Sequence, residues 1–251
     1  MRFPVLMYHK VGEPVHIKAD RFLNVSTPSF ERQMTLLASM KFRVRPFAEI
    51  VEAATTGKTL LPRTLAITFD DGYANVGEHA APILQRLNFP ATVFVVSGGV
   101  GKTNAWDKSE GYPELNLMGW ERLRQLQSGG WEIGGHTRTH PHLDALENDL
   151  AEADILQGKE EVEAVLGVTL KTFCYPFGHY SVATPELVAR AGFTGACTTK
   201  SGIYNPNSDS PYLIPRVKIA YRDGTFGLLY RLLVRPHLPD LRKNRRDNQH
   251  K

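Results

Sequence analysis

Two carboxylates stand side by side in ITFDDGY (67–73): Asp70 and Asp71 follow a run of strand formers and precede a turn at Gly72. Adjacent like charges repel, and burying them costs more. A cation, a shared proton or open water in a turn would offset that cost. A second stretch, HTRTH (136–140), sets His136 and His140 four residues apart. On a helical turn this spacing points both imidazoles the same way, which suits chelation. Two His and one carboxylate form a divalent-metal set that leaves positions open for water and substrate. The other carboxylate is then free to act as a base on the water. Each motif alone is bland: a DDG is usually a solvated turn, and an HxxxH is usually two surface imidazoles on a helix. His142 sits two residues past His140, an offset that points it toward solvent or the outer surroundings of the pair.

What gives the motifs weight is where they fall among the elements. Short β-branched and apolar runs read as strands at 4–8, 65–69, 91–96, 131–134, 171–175, 193–198 and 212–217. Helical patterns lie between them, one opening at Thr27-Pro28 and others covering 75–88, 119–128, 146–166 and 184–191. Several end in Gly, as helix C-termini do. The alternation predicts an α/β fold with a parallel sheet and crossover helices. About seven parallel strands in a chain of 251 residues predict a distorted (β/α) barrel rather than an open sheet. In such a barrel all strand C-termini meet on one rim. His9 follows the first strand, Asp70 and Asp71 the second, the polar loop 97–118 the third, His136 and His140 the fourth, and Tyr175 and Phe177 the fifth. Three His and two Asp therefore converge on one mouth.

Hydrophobic residues make up 42% of the chain and charged residues 22%, enough for one large domain or two small ones with an ample core. Cys174 and Cys197 are the only cysteines, too few for a disulfide scaffold and in keeping with a reducing compartment. The start of the chain lacks the long apolar region and small-residue cleavage site of a signal peptide, so the expectation is cytoplasmic. Net charge is +4, but 231–251 carries seven Lys and Arg against two Asp, a net +5 that leaves −1 for the rest. Basicity confined to a tail argues against nucleic acid as the partner. The expected organisation is one domain over 1–238 and a basic, disordered tail over 239–251. The apolar and basic stretch 223–246 is also a candidate for peripheral contact with an anionic membrane at the inner surface.

TFDDGY (68–73) together with HTRTH (136–140) resembles the NodB-type polysaccharide deacetylases, carbohydrate esterase family four. The resemblance extends from MYHKV (7–11) to LIPRV (213–217). It implies a hydrolase acting on non-peptide C–N bonds that removes N-acetyl groups from an amino-sugar glycan or glycan precursor and releases acetate, or, as in some members of the family, one that removes O-acetyl groups. It also implies a divalent metal, Zn2+ first, with Co2+, Mn2+ or Ni2+ as alternatives. Asp70 resembles the catalytic base of the family, and Asp71, His136 and His140 its metal ligands. CYPFG (174–178) lies where the family often has Arg-x-Pro-Tyr-Gly, with Cys174 in the Arg place and Phe177 in the Tyr place. The Phe177 amide can still serve an oxyanion, since that needs no side chain. The missing Arg leaves Asp70 without its usual orienting partner, and Arg216 on the last strand is the candidate substitute. The family's C-terminal apolar run with its acid His is absent after residue 200, and MYHKV resembles instead the poly-N-acetylglucosamine deacetylase subgroup. His9 then takes the general-acid place. Trp106 and Tyr175 are candidates for stacking on a sugar ring, with packing within its own loop an equal reading for Trp106. Two other readings stay open on sequence: a metal-dependent deformylase or amidohydrolase on a small or lipid-linked amide, and a non-catalytic carbohydrate-binding protein.

Overall fold

A computed structural model describes residues 2–14, 23–111, 113–221 and 223–234. The tail expected over 239–251 lies outside them. Seven strands close a barrel: β1 (Val5–Tyr8), β5 (Thr64–Phe69), β6 (Thr92–Val95), β7 (Glu132–Gly135), β8 (Thr172–Cys174), β9 (Gly195–Ser201) and β10 (Ile214–Lys218). Every neighbour pair is parallel, and β1 pairs with both β5 and β10, which seals the ring. The expected barrel of about seven parallel strands is the fold. A short strand β4 (Arg43–Val44) adds to the start of β5, and a two-residue pair, β2 (Lys10–Val11) with β3 (Asn24–Val25), stands apart.

The helices that return the chain are α1 (Thr27–Ser39), α2 (Phe47–Thr56), α3 (Ala81–Arg86), α4 (Trp120–Ser128), α5 (Asn148–Leu166), α6 (Thr184–Arg190) and α7 (Thr225–Leu229). A π turn, Val76–Ala80, leads into α3. Pro82 has no amide to give the Glu78 carbonyl, which fits a break in the regular ladder there. Because helices cover the outside and side chains fill the inside, strands such as β5 are buried on both faces and read as continuous apolar runs.

Strand residues alternate between two cores. Leu65, Ile67 and Phe69 face the helices in the larger core. Val5, Ala66, Phe94, Cys174, Cys197 and Ile214 form a second core inside the barrel. Phe47, Ile50 and Val51 of α2 belong to that inner core, so α2 plugs the N-terminal end. Glu132 bridges this plug: its carboxylate accepts from the Ala48 amide and from the hydroxyls of Thr92 and Thr172. With one end stoppered, the inward rows of β5 and β10 run from Ala66 and Ile214 in the inner core toward the open end of the barrel.

Candidate active site

On β5 the inward row ends in Thr68 and Asp70, and on β10 in Arg216 and Lys218. Arg216 is completely buried. Its guanidinium donates to both Asp70 oxygens at 2.6 Å, while further N–H groups reach Thr68 Oγ1 at 3.1 Å, the Thr198 carbonyl at 2.9 Å and Cys174 Sγ at 3.3 Å. Every guanidinium donor thus has an acceptor, which a buried cation requires. Cys174 in the place of a larger residue leaves room for this head group. Burial alone would push the Asp70 carboxyl up; the Arg216 cation, aided by His9, reverses that and holds it below the usual carboxylate range. His9 Nε2 lies 3.6 Å from Asp70 Oδ2. Burial lowers the His9 pKa, against the upward pull of Asp70 and Asp71.

Asp71 points the other way along the rim, held at a positive φ of 71° by the turn into Gly72. Its Oδ1 faces His136 Nε2 at 3.2 Å and His140 Nε2 at 3.3 Å. The i, i+4 spacing brings these imidazoles together, but not on a helical turn as expected. Residues 137–140 form an irregular loop in which Thr137 and His140 have φ of 65° and 60°. The Thr137 hydroxyl accepts from the His140 amide at 3.0 Å and pins the turn. From behind, α5 supports the loop. Asp154 accepts from the amides of Arg138 and Thr139, and Glu161 accepts from Arg138 Nε and the Ser97 hydroxyl.

The three residues fit a divalent cation. His136 Nδ1 donates to the Cys174 carbonyl at 2.6 Å, so in the neutral ring its Nε2 lone pair faces Asp71 Oδ1. Two lone pairs opposed at that range are repulsive unless a cation lies between them. His140 Nδ1 is buried without a partner, and its Nε2 faces the same oxygen. Separations of 3.2 and 3.3 Å match the edge of a tetrahedron whose ligand bonds are about 2.0–2.1 Å.

The mouth encloses about 250 Å³, lined by Met7, His9, Leu23, Asp70, Asp71, Asp107, His136, His140, Tyr175, Phe177, Thr199 and Lys218. Phe177 takes a φ of 56°, and the hydrogen bonds of its turn use the amides of Gly178 and His179 rather than its own. The Tyr175 hydroxyl is committed to the Tyr212 carbonyl at 2.8 Å. Trp106, expected to stack on a sugar, instead stacks on the His140 ring at 4.7 Å and is not part of the lining. His142, expected to point to solvent or the outer surroundings, lies flat on the Phe177 ring at 4.1 Å.

Sequence reasoning missed Lys218, Asp107 and Thr199. Lys218 follows Arg216 by two residues on one strand, so the period of the inward row could have found it. Asp107 comes from the 97–118 loop, where its carboxylate accepts from the Tyr73 hydroxyl at 3.0 Å and Asn104 Nδ2 at 2.8 Å. Burial, then the nearby Asp71, raises its pKa.

Known proteins share both the sequence pattern and this architecture. The poly-beta-1,6-N-acetyl-D-glucosamine N-deacetylase of Staphylococcus aureus is 27% identical over 206 residues, 78% of this chain and 68% of that protein. The Streptococcus pyogenes deacetylase PplD, solved in complex with acetate, superposes with a TM-score of 0.80 at 22% identity, over 95% of this chain and 99% of that one. IcaB from Ammonifex degensii gives 0.77 at 23%, over 90% and 95%. At such identities the two structures speak for the fold. Residues 57–196, more than half the chain, match the family described as polysaccharide deacetylase, and the chain belongs to that family.

Proposed function

We propose that the protein hydrolyses N-acetyl groups on an amino-sugar glycan in a metal-dependent reaction that releases acetate. The observation that carries this is the division of labour between adjacent carboxylates. Asp70 is ionised and locked by Arg216, while Asp71 shares one point with two imidazoles. The named activity of the Staphylococcus aureus relative supports poly-N-acetylglucosamine as the glycan.

Asp71, His136 and His140 would hold the cation, with zinc favoured by two imidazoles and one carboxylate. When bound it polarises the acetyl carbonyl and acidifies a water. Asp70 would take a proton from the water that attacks the carbonyl carbon. The Arg216 fork fixes both oxygens of the base, so its orientation does not depend on substrate. The Phe177 amide donates to the developing oxyanion. His9, in its protonated form, gives the Nε2 proton to the leaving nitrogen as the C–N bond breaks, which yields acetate and a free amine. Tyr175 walls the mouth, and Lys218 and Asp107 offer a donor and an acceptor to sugar hydroxyls. The exposed face of the C-terminal helix and the basic tail bring this mouth to an anionic membrane surface.

The test is acetate release from β-1,6-linked N-acetylglucosamine oligomers by chelator-treated protein, with zinc, cobalt, manganese or nickel added back, beside O-acetylated and N-formylated sugars. Acetate from the N-acetyl oligomer, dependent on added metal, is expected. No acetate with any metal, or a clear preference for the formyl compound, would overturn the reading.

A further inference from the structure

A second imidazole–carboxylate cluster stands one ring away from the first. His142 Nδ1 lies 3.4 Å from His179 Nδ1, and the same His179 nitrogen lies 3.2 Å from Asp144 Oδ2. The three ligand atoms lie within 4.8 Å of one another. At 3.4 Å the pair lies beyond the roughly 2.7–3.2 Å at which protein N–H groups donate to oxygen, and so is poor as a hydrogen bond. It is close to the tetrahedral edge of about 3.3 Å expected for metal–nitrogen bonds of 2.0–2.1 Å. One His179 nitrogen has a single proton or a single lone pair, yet it faces two ligand atoms, just as Asp71 Oδ1 does in the first site.

The surroundings hold these side chains in place. The His142 ring lies flat on Phe177, 5° from parallel, and its carbonyl accepts from the Ala145 amide at 3.0 Å. Leu143, between the two ligands on that loop, is buried in the larger core. His179 closes the turn after Phe177, with its amide donating to the Pro176 carbonyl at 3.0 Å. We infer that His142, Asp144 and His179 form a second divalent-cation site, suited to zinc and completed by water, that clamps the loop after β7 to the loop after β8. Two imidazoles and one carboxylate favour zinc over magnesium or calcium, which prefer oxygen. The site is half-exposed and therefore binds more weakly than the buried one. The clamped loops are those that carry His140 and Phe177, which already touch at 4.5 Å between ring centroids.

The experiment is equilibrium dialysis of tag-free, chelator-treated full chain against zinc, with bound metal counted by mass spectrometry. Wild type should bind two equivalents. His179→Ala and Asp144→Asn should each bind one, and each should keep activity at one zinc within about twofold. Zinc at about a hundredfold excess over the weaker Kd should raise the Tm of wild type by about 5 °C over the singly loaded protein, and should not raise that of His179→Ala. The retained equivalent shows that the variants are folded. A single wild-type equivalent that disappears in His136→Ala, or a second one that survives both His179→Ala and Asp144→Asn, would overturn the inference. A single equivalent that disappears only in His179→Ala would uphold it and sink the metal role assigned to Asp71.

Discussion

Asp70 and Arg216 form a pair in which neither residue can be changed alone without a structural consequence. Both are buried, and the two-point fork between them, with both contacts at 2.6 Å, is the closest charge compensation that either has among the described residues. Asp70→Asn turns one accepting oxygen into a donor facing Arg216 Nη2, which leaves a buried cation half-paired. The variant should therefore lose most turnover and also about 3 kcal/mol of stability, the scale of breaking a buried pair. It should keep its metal, because Asp71, His136 and His140 are untouched. Asp71→Asn should do the reverse: metal content falls, while the Asp70–Arg216 pair stays whole. Metal analysis and urea unfolding on both variants separate the two roles, and near-wild-type turnover in Asp70→Asn would show that the base is another group. His9→Ala tests the acid in the same way. A drop in kcat of about a hundredfold on the amide, with a smaller drop on an ester whose leaving group needs less help, is expected at unchanged metal content.

At the scale of elements, much of the fold was readable. The seven strand runs, the rim on which the chemistry collects and the helices over 119–128, 146–166 and 184–191 all follow from period and punctuation. The helix α2 was not anticipated, although Phe47, Ile50, Val51 and Ala54 carry its period and Gly57 its C-terminus. The conformation of HTRTH was misread for a physical reason. Spacing alone suggested a helical turn, but the loop is shaped by a neighbour distant in sequence. One face of α5, built from Asp154, Gly158 and Glu161, is the mould. An ideal Cβ at Gly158 would lie 2.5 Å from the Thr137 carbonyl carbon and 2.7 Å from the Arg138 nitrogen. Helix propensity alone makes Gly158→Ala stabilising by about 1 kcal/mol. The contact predicts the opposite: overpacking against backbone costs about 1–3 kcal/mol, and it displaces the loop that carries both imidazoles. Gly158→Ala should lower the Tm and weaken zinc binding at least tenfold, measured by competition with a chromophoric chelator. A variant that gained stability and kept its zinc affinity would show that the loop does not take its shape from α5.

For the molecule as a whole, the question is what the C-terminal end does once the barrel is closed. Among the described residues no helix is long and apolar enough to cross a membrane. Helix α7 and the π turn that continues it, Tyr230–Val234, bury Leu228 and Leu232 against the body of the protein. Phe226, Tyr230, Leu233 and Val234 lie on the opposite side and are exposed, Phe226 by 87%. Their i, i+4, i+7, i+8 spacing makes them one apolar stripe. The chain reaches α7 seven residues after Lys218, so the stripe starts from the mouth side of the barrel. Most of the seven Lys and Arg of 231–251 follow it in sequence, beyond the described residues. An apolar stripe followed in sequence by clustered positive charge suits the two layers of an anionic bilayer surface, acyl boundary and headgroup. Each basic residue near such a surface contributes about 1 kcal/mol, screened by salt. The full chain should therefore co-sediment with anionic vesicles and not with neutral ones, and raising the salt should release it. Phe226→Ser/Leu233→Ser should weaken binding through the stripe, and a chain ending at Leu238 should weaken it through the charge, while acetate release from short soluble oligomers stays unchanged in both. Equal, negligible sedimentation of all three proteins on anionic vesicles would leave the stripe as ordinary surface, and the mouth would then meet its glycan without help from a membrane.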